Sequence, residues 1–562
     1  MISHTLEMRA SVRSGAVLAG AVLAGVVAFA APAWAQTSAP SALTGKVMSQ
    51  EEGAMEGVLV SAKRAGSTMT VTVVSNAQGE YSFPRERLEP GKYAVSIRAV
   101  GYELPNPRAQ IDVTAQQPAG LDLNLVKTKS LSHQLSNGEW LQSFTGTKAA
   151  KESLFGCVGC HTLERIANSR YNAEEAARVV QRMSTWAQGS QPLKPQPQLG
   201  RSIGAPNARQ VAIGQYISTI NLSGGDERPY ALKTDPRPKG KATRVIITEY
   251  DLPRRDAMPH DAQLDGRGMV WYGDFGSQYV GYLDPKTGAA TEYSVPIWKP
   301  GAPTGNLDIR FDRLGMVWIG NMMQGSLVKF DPKTEKFQSW GAPDFLKRND
   351  ARIAMVMPEQ THVDGKVWIG ADNEYQVDMA SGEWTEIDYR KMQPPGSKDH
   401  GSYGVAADSR NNFYGLELNA DYIIKVDAKT LIPTYYQTPT PNSGPRRGHF
   451  DNQDRLWFAE NRGHRIGMFD AKAEKFQEWQ MPTPFSMPYD AIFDNSTYAW
   501  TGGMGNDHVS RLNAKTGEIV DYLLPSETNV RRVDVDKSVS PSQLWIGNNH
   551  GARLIRVEPL EP

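Results

Sequence analysis

The sequence predicts a mainly β, multidomain protein that contains a small β-sandwich, a small all-α domain and a seven-bladed β-propeller. Three patterns support this prediction: short strands of alternating polarity near the N-terminus, one helical stretch in the middle, and an aromatic residue that returns every 43 to 50 residues up to the C-terminus. A chain of 562 residues is too long for one hydrophobic core, so several domains are expected. Lys and Arg together number 61, as do Asp and Glu, and this balanced charge argues against a nucleic-acid partner.

Residues 1–35 have the pattern of a cleavable signal peptide. Arg9 and Arg13 precede an apolar run, and the small residues Ala33 and Ala35 mark a predicted cleavage site at the end of this segment. The alternative is a membrane anchor, but the run is shorter than the roughly 20 apolar residues that span a bilayer. We therefore expect export to the periplasm and no membrane span after cleavage.

Residues 42–127 alternate apolar and polar residues in short segments separated by turns, which predicts a β-sandwich. The runs N-A-Q-G-E-Y-S-F at residues 76–83, L-E-P-G-K-Y at residues 88–93 and V-G-Y at residues 100–102 resemble the carboxypeptidase regulatory-like (transthyretin-like) domain. This resemblance implies a docking or spacer domain that has no catalytic group of its own.

Residues 131–223 change to a helical period and are predicted to form the all-α domain. Asn172 is a candidate N-cap, and Glu175 completes a capping-box pattern before apolar residues that recur on one helix face. A second helix is expected over residues 208–220. Residues 224–242 are rich in Gly, Pro and charged residues and are predicted to be a linker.

Residues 243–562 repeat a unit of 43 to 50 residues, which is typical of a β-propeller with one unit per blade. Each unit has an aromatic residue in a short apolar strand, and most units have an Asp six residues earlier. Seven such residues predict seven blades: Trp271, Trp318, Trp368, Tyr414, Trp457, Trp500 and Trp545. Residues 248–253 have the sequence of the last strand of a blade, which the seventh unit lacks. We expect this N-terminal strand to complete the seventh blade, because closure removes an open sheet edge.

The sequence Cys157-Val158-Gly159-Cys160-His161 is a C-x-x-C-H motif, and it holds the only two cysteines of the chain. In such a motif each thiol can add to one vinyl group of a haem, and the adjacent His is the proximal iron ligand. The alternatives are a thioredoxin-like redox pair and half of a zinc site. The first needs a βαβ context and the second needs two more ligands nearby, so the motif indicates one covalent haem c.

Met183 is the candidate sixth ligand of the haem iron. It is the only Met between Met69 and Met258. The pair Arg182-Met183, late in the helix that follows the motif, resembles the haem domains of quinohaemoprotein amine dehydrogenases and related cytochromes. That resemblance implies a Met axial ligand. The alternative is a Met of the helical core, and His133 is the only other His of this segment besides that of the motif.

Polar residues are predicted around one end of the propeller channel, where the innermost strand of each blade begins and the second strand ends. Paired arginines at equivalent positions of two blades suggest recognition of an anionic small molecule. The alternative is a channel mouth that is polar because it is wet. The candidate residues are Asp261, Asp308, Glu417, Arg446, Arg447, Glu460, Arg531 and Arg532.

Three motifs stand out in the propeller half: L-W-F-A-E at residues 456–460, M-P-H-D at residues 258–261 and D-P-K-T-G at residues 284–288. In these motifs the propeller half resembles the streptogramin lyases (virginiamycin B lyase-like proteins). This resemblance implies seven blades and a magnesium-assisted elimination that uses a Glu, a His two residues later and a His of the preceding blade. The candidate catalytic residues are therefore His550, Glu460 and His260.

These candidates depart from the pattern of the lyases. Arg462 stands two residues after Glu460, where the pattern has His, and Asn548 stands two residues before His550, where it has Glu. Tyr489 stands in the preceding blade where His is expected. Because neutral Asn is a poorer magnesium ligand than a carboxylate, both a bound magnesium ion and lyase activity are disfavoured.

The residues favour an electron-transfer function. We expect a periplasmic c-type cytochrome that exchanges electrons with a redox partner protein and uses its propeller as a docking or ligand-binding module. The alternatives are a streptogramin lyase-like carbon–oxygen lyase and a haem-based sensor or scaffold.

Overall fold

A mainly β architecture is present in the computed structural model, which describes residues 40–107, 109–340, 343, 352–371, 373–387 and 402–561. The signal peptide predicted over residues 1–35 lies outside these ranges. In the described part of the chain, no helix is both long and apolar enough to cross a membrane.

The N-terminal strands form the predicted β-sandwich. These strands are β1 (Ser41–Ser49), β2 (Gly53–Ala54), β3 (Leu59–Arg64), β4 (Met69–Val74), β5 (Glu80–Pro84), β6 (Gly91–Arg98), β7 (Tyr102–Glu103), β8 (Gln110–Val113), β9 (Ala119–Gly120) and β10 (Leu123–Lys127). One sheet has the order β2-β1-β10-β7, with β5 and β9 also paired to β1, and the other contains β4-β3-β6-β8. Val47, Phe83 and Leu123 are buried in the core, which explains the alternation along their strands.

Five helices form the segment between the sandwich and the propeller. They are α1 (Asn137–Ser143), α2 (Lys148–Glu152), α3 (Glu164–Ala167), α4 (Ala173–Met183) and α5 (Ala208–Ile220). The Asn172 and Glu175 side chains each accept the backbone N–H of the other residue, so the predicted capping box is confirmed. Helices α4 and α5 cross at Gly214, where a Cβ atom would lie 2.5 Å from the backbone nitrogen of Ala177. The missing side chain therefore permits this close crossing.

The predicted linker, residues 224–242, is held by side chains of the sandwich and of the helical segment. Arg237 pairs with Glu52 of the sandwich at 2.5 Å, and the Asp235 backbone N–H donates to Glu139 of α1 at 2.9 Å. These contacts attach the helical segment to the sandwich.

Seven blades follow, as the aromatic repeat predicts. After β11 (Val245–Asp251), the first two blades contain β12 (Gln263–Leu264), β13 (Val270–Gly273), β14 (Tyr279–Leu283) and β15 (Ala290–Ser294), then β16 (Asp308–Phe311), β17 (Val317–Asn321), β18 (Ser326–Asp331) and β19 (Lys336–Trp340). The third and fourth contain β20 (Met355–Met357), α6 (Thr361–Asp364), β21 (Lys366–Gly370), β22 (Glu374–Asp378) and β23 (Trp384–Ile387), then β24 (Gly404–Ala407), β25 (Phe413–Leu416), β26 (Tyr422–Val426) and β27 (Pro433–Gln437). The last three contain β28 (Pro445–Phe450), β29 (Arg455–Glu460), β30 (Arg465–Asp470) and β31 (Lys475–Gln480), then β32 (Pro488–Phe493), β33 (Tyr498–Gly503), β34 (His508–Asn513) and β35 (Ile519–Leu523), and finally β36 (Val530–Asp536), β37 (Gln543–Asn548) and β38 (Arg553–Pro559). Neighbouring blades touch through their inner strands, and the seventh touches the first, so the ring is closed.

In three blades, the Asp six residues before the tryptophan ties a turn to the core of the blade. In the first blade, the indole Nε1 of Trp271 donates to Asp265 at 3.0 Å, and the other oxygen of the same carboxylate accepts the Met269 backbone N–H. The same indole–carboxylate bond joins Trp318 to Asp312 and Trp457 to Asp451. The six-residue spacing in the sequence therefore reflects one repeated hydrogen bond.

Strand β11 completes the seventh blade, as predicted, and it also belongs to the sandwich. Ile247 lies opposite Val557 of β38 on one edge and opposite Thr72 of β4 on the other. An eight-stranded sheet therefore continues from the innermost strand β36 into the sandwich. Because both edges of β11 are paired, the two modules share one strand.

Ile247→Ala is expected to lower the free energy of unfolding by about 2–5 kcal/mol, because it empties a fully buried site in the shared strand. Chemical denaturation followed by tryptophan fluorescence measures this change. Ile297→Ala is the matched control, since the Ile297 side chain is about half exposed, and we expect it to cost less than about 0.5 kcal/mol. Equal costs for the two substitutions would contradict a structural role of the shared strand.

Candidate functional site

The C-x-x-C-H motif forms a tight loop, here called the motif loop (residues 157–161). Cys157–Gly159 is one turn of 3-10 helix, and the backbone N–H groups of Cys160 and His161 both donate to the Cys157 carbonyl. Val158 is fully buried in the core of the helical segment. This turn places both thiols and the imidazole close together along a single short stretch of backbone.

A cavity of about 550 Å³, here called the first cavity, lies beside the motif loop. Its wall includes Cys157, Cys160 and His161 from the loop and Met183 from the end of α4. Val180, Trp186 and Ile213 add apolar surface. The two candidate iron ligands and the two candidate attachment thiols therefore line one space, although 22 residues separate His161 from Met183.

His133, the other histidine of the helical segment, does not line the first cavity. Its Nδ1 pairs with the carboxylate of Glu164, and its side chain is largely exposed. It borders a different, smaller cavity beside Val100 and Glu527. The arrangement thus favours Met183 over His133 as the second candidate iron ligand.

Burial sets the ionisation of the motif loop and leaves its imidazole in the form that binds metals. Burial raises the pKa of the Cys157 thiol to about 12, and burial also raises the pKa of Cys160, so both thiols are protonated at neutral pH. Burial lowers the pKa of His161. Its Nδ1–H donates to the Thr162 carbonyl at 2.9 Å, which leaves Nε2 with a free lone pair, the form of imidazole that binds metals.

Positive charge surrounds the same cavity. The guanidinium groups of Arg165, Arg182 and Arg209 are part of its wall, and in the described ranges none of the three pairs with a carboxylate. A haem carries two carboxylates, so these groups fit the charge of a haem as the apolar side chains fit its ring. No cluster of three or more His, Cys, Asp or Glu side chains suited to a metal ion occurs among the described residues.

The seventh blade of the propeller holds the motif loop by its backbone. Arg531 donates from Nη2 to the Gly159 carbonyl at 2.9 Å, and the Asn529 amide donates to the Val158 carbonyl at 3.1 Å. The Nε2 atom of His550 lies 3.5 Å from the same Gly159 oxygen. Arg531, predicted for the propeller mouth, and His550, predicted as a candidate catalytic residue, therefore contact the motif loop directly.

The propeller-mouth residues lie in two layers. In β28, β32 and β36 the pairing register shifts at the start of the strand, and such bulges re-aim consecutive side chains. The pairs at these bulges are Arg446-Arg447, Tyr489-Asp490 and Arg531-Arg532. In each pair the second residue points toward the channel axis, whereas the first lies nearer the helical segment. We call Asp261, Asp308, Arg310, Arg447, Asp490 and Arg532 the inner layer, and His260, Tyr403, Arg446, Tyr489 and Arg531 the outer layer.

The inner layer is a buried ion network of three arginines and three aspartates. One oxygen of Asp308 accepts from Arg447 at 3.0 Å and from Arg532 at 3.1 Å, while the other lies 3.1 Å from Nε of Arg310. Arg532 also lies 3.5 Å from Asp261. Each of these side chains is at most 3% exposed, so the predicted mouth is closed at this depth by mutual pairing.

The charges of the network also set its ionisation. Burial alone raises the pKa of Asp261, but His260, Arg532 and Arg447 outweigh it and hold that pKa at about 2. Arg310, Arg447 and Arg532 likewise hold the pKa of Asp308 below its usual range against the opposing effect of burial. Both carboxylates are therefore ionised at neutral pH.

The outer layer contains a hydrogen-bonded chain across three blades. His260 donates from Nδ1 to Asp261 at 2.6 Å, and its Nε2 lies 2.8 Å from the hydroxyl of Tyr489. The Tyr489 hydroxyl lies 2.5 Å from that of Tyr403, which also accepts from Arg446 at 3.3 Å. Burial lowers the pKa of His260 to about 4, so the imidazole is neutral and can accept the Tyr489 proton.

The candidate lyase residues lie in separate surroundings. Glu460 ends β29, where burial and then Glu478 raise its pKa to about 9. The pKa of Glu417 is raised in the same way: burial, and then the nearby Asp421 and Glu374, raise it to about 8. His550 faces the motif loop, and burial followed by Arg531 lowers its pKa to about 3. His260 belongs to the hydrogen-bonded chain described above.

Sequence reasoning named Tyr489 only as the residue in place of a lyase His, and it missed Tyr403 and Arg310. Tyr403 and Tyr489 stand eleven residues before the aromatic residue of their blades, as His260 does, so the repeat alignment contained a signal for both. Arg310 carries no such signal, because its role depends on residues of other blades.

Comparison with known proteins identifies the sandwich. The family model of the carboxypeptidase regulatory-like domain matches residues 42–126. The chain contains a carboxypeptidase regulatory-like domain. This module is joined through β11 to the propeller, as its sheet order shows. No curated protein matches the chain.

Solved structures similar to this chain include several propellers. Virginiamycin B lyase from Staphylococcus aureus is 18% identical, with a TM-score of 0.47, and the match covers 56% of this chain and 99% of the lyase. A streptogramin B lyase is 20% identical, with a TM-score of 0.48, over 57% of this chain and 99% of the other. The β-propeller domain of Cps50 (Swd1) from Myceliophteria thermophila is 10% identical, with a TM-score of 0.44, over 55% and 99%.

Asp308→Asn is expected to destabilise the protein by about 3–5 kcal/mol at pH 7, because it leaves buried arginines short of a counter-charge. The measurement is chemical denaturation of both proteins from pH 7 to pH 3. A folded-state pKa below the unfolded value means that Asp308 stabilises the protein above about pH 4 and stops doing so as the pH falls. The difference between wild type and variant should therefore shrink below about pH 4.

Asp226→Asn is the control for this prediction. Asp226 pairs with Arg170, but both side chains are exposed, so we expect a cost below about 1 kcal/mol at every pH. A constant difference between wild type and Asp308→Asn from pH 7 to pH 3 would contradict the assigned charge network.

Proposed function

We propose that the protein is a periplasmic c-type cytochrome that carries one covalent haem and transfers electrons to or from a redox partner protein. In this proposal Cys157 and Cys160 would hold the haem through thioether bonds, and His161 and Met183 would bind its iron. The propeller serves as a docking or ligand-binding module.

One observation carries the proposal: a single cavity is lined by both thiols of the motif, by His161 and by Met183. The motif alone specifies the thiols and one ligand. Met183 on the wall of the same cavity is an independent feature, because α4 is a separate element that the motif does not determine. Thioether ligands of this kind are typical of electron-transfer haems with raised potential.

The residues of the chain have separate tasks in this function. The motif loop presents two thiols on one turn of backbone, and Thr162 orients the His161 ring through Nδ1. Val180, Trp186 and Ile213 exclude water from the cavity, while the three arginines of its wall compensate carboxylate charge. When bound, the haem supplies reversible one-electron chemistry. The contact of Arg531 and Asn529 with the loop backbone keeps this site against the propeller.

The residues support electron transfer better than a lyase reaction. A magnesium-assisted lyase needs ionised carboxylates as ligands. Glu460 has a raised pKa of about 9 and is protonated at neutral pH, and His550 borders the motif loop. The lyase therefore has no specific observation in its favour.

Expression in a host with a periplasmic haem-attachment system is expected to yield protein with one covalent haem and a sharp low-spin α-band when reduced. Cys157→Ser combined with Cys160→Ser should remove the covalent haem. Met183→Ala should retain the covalent haem, lower its reduction potential and allow nearly complete binding of carbon monoxide, because the sixth position becomes open. Denaturing mass spectrometry and reduced-minus-oxidised spectra measure these properties.

Met379→Ala is the matched control, since Met379 is partly buried in the third blade, far along the chain from the first cavity. It should leave the spectrum and carbon monoxide binding unchanged. Protein without covalent haem under these conditions would overturn the proposed function, and rapid carbon monoxide binding by the wild type would overturn the assignment of Met183.

A further inference from the structure

A second cavity, of about 630 Å³, lies between the helical segment and the propeller. Glu152, Phe155 and Gly159 border it from the helical side, and Arg446 and Arg531 border it from the propeller. It shares part of its wall with the first cavity, through Ser153, Gly156, Cys160, Gln188 and Arg209. Any molecule in this second cavity would lie directly beside the motif loop.

Two buried arginines of the outer layer face the second cavity without a counter-charge. Arg446 is 9% exposed and Arg531 is 4% exposed, and in the described ranges neither pairs with a carboxylate. Arg446 donates to the Met504 sulfur at 3.0 Å and to the Tyr403 hydroxyl, but its Nε has no partner among the described residues. A buried cation without a counter-charge is costly, so the arrangement favours an anion in the adjoining space.

The neighbouring residues of the inner layer show the contrast. Arg447 and Arg532 follow Arg446 and Arg531 in the sequence, and both pair with Asp308 and lie within 4 Å of Asp261. The inner arginines thus have their counter-charges within the protein, whereas the outer pair does not. Arg209 and Arg462 add further positive charge at the same cavity, against the single carboxylate of Glu152.

The rest of the second cavity combines apolar surface with one polarised hydroxyl group. Phe275, Leu418 and Met487 provide the apolar surface, and Tyr403 is the hydroxyl-bearing residue of the outer layer that reaches the cavity. Because His260 is neutral and Asp261 accepts from its Nδ1, the chain runs in one direction, from Tyr403 to Tyr489 to His260. The proton of Tyr403 therefore points toward Tyr489, and its oxygen is left to accept.

The positive charges around Tyr403 also favour its oxygen as a hydrogen-bond acceptor. Burial alone raises the pKa of this phenol, but Arg446, Arg447 and Arg531 outweigh burial and hold it at about 8. The charged or titratable groups that face it are these three arginines and Tyr489, with Glu152 and Arg209 across the cavity. An oxygen in this setting is a good acceptor for a ligand hydroxyl.

We propose that the second cavity binds a small aromatic hydroxy acid, whose carboxylate contacts Arg446 and Arg531 and whose hydroxyl donates to the oxygen of Tyr403.

Isothermal titration of the purified full-length mature protein with 4-hydroxybenzoate and with benzoate tests the proposal. Wild type should bind 4-hydroxybenzoate at least about tenfold more tightly than benzoate, because benzoate lacks the hydroxyl that donates to the Tyr403 oxygen. Arg446→Gln should weaken both ligands about tenfold to a hundredfold, whereas Tyr403→Phe should weaken only 4-hydroxybenzoate and make the two affinities equal. Arg313→Gln, at an exposed turn of the second blade, is the control and should change neither affinity.

Thermal unfolding and haem content are measured on the same samples as the affinities. Thermal unfolding checks that each variant folds, and Arg446→Gln should keep the wild-type Tm or raise it, because it removes an uncompensated buried charge. No binding of either acid to wild type, or equal affinities for wild type and Arg446→Gln, overturns the proposal. Haem content of the same samples is measured separately, so acid binding by protein without covalent haem would overturn the proposed function and leave this inference standing.

Discussion

The doubly paired strand β11 is the constraint on which the candidate sites depend. It supplies the fourth strand of the seventh blade on one edge and joins the sandwich on the other. A propeller blade without its last strand would leave unpaired backbone groups at a sheet edge. Closure therefore fixes β36 and the turn after β37, and these elements carry the side chains that hold the motif loop. The position of the loop on the propeller thus rests on a backbone pairing more than 80 residues away in the sequence.

Charge is organised by depth at the centre of the propeller. The inner layer contains three arginines and three aspartates, so its charges compensate one another in a region that water does not reach. The outer layer contains two arginines, two tyrosines and a neutral histidine, and its positive charge is not compensated within the protein. Because a buried charge is tolerated only with a partner, this difference separates a structural network from a site that lacks its ligand.

The two cavities share a wall that includes Cys160 and Arg209. A covalent haem in the first and an aromatic hydroxy acid in the second would be separated by little more than one turn of backbone. The helical segment would then hold the redox group, and the propeller would hold an organic anion beside it. This arrangement gives a physical reason for joining a haem motif to a propeller in one chain.

Features that depend on neighbours in the sequence were predictable. The motif loop, the capping box of Asn172 and Glu175, and the Asp–aromatic spacing of the blades each arise from contacts within a few residues. The sequence also predicted the number of blades and their closure by an N-terminal strand, because comparison of the repeats shows that the seventh lacks its last strand. The candidate arginines were correctly placed around the channel, but they were predicted as one set.

The tertiary structure alone decided how that set divides. Arg446 and Arg447 are adjacent in the sequence and identical in chemistry, yet a bulge turns one toward the second cavity and the other toward Asp308. Likewise, Tyr403, Tyr489 and His260 form one hydrogen-bonded chain although they come from the fourth, sixth and first blades. Local pattern determined which elements and motifs this protein has. Contacts through space determined which charges are satisfied and which remain for a ligand, because pairing depends on distances between residues that the sequence keeps far apart.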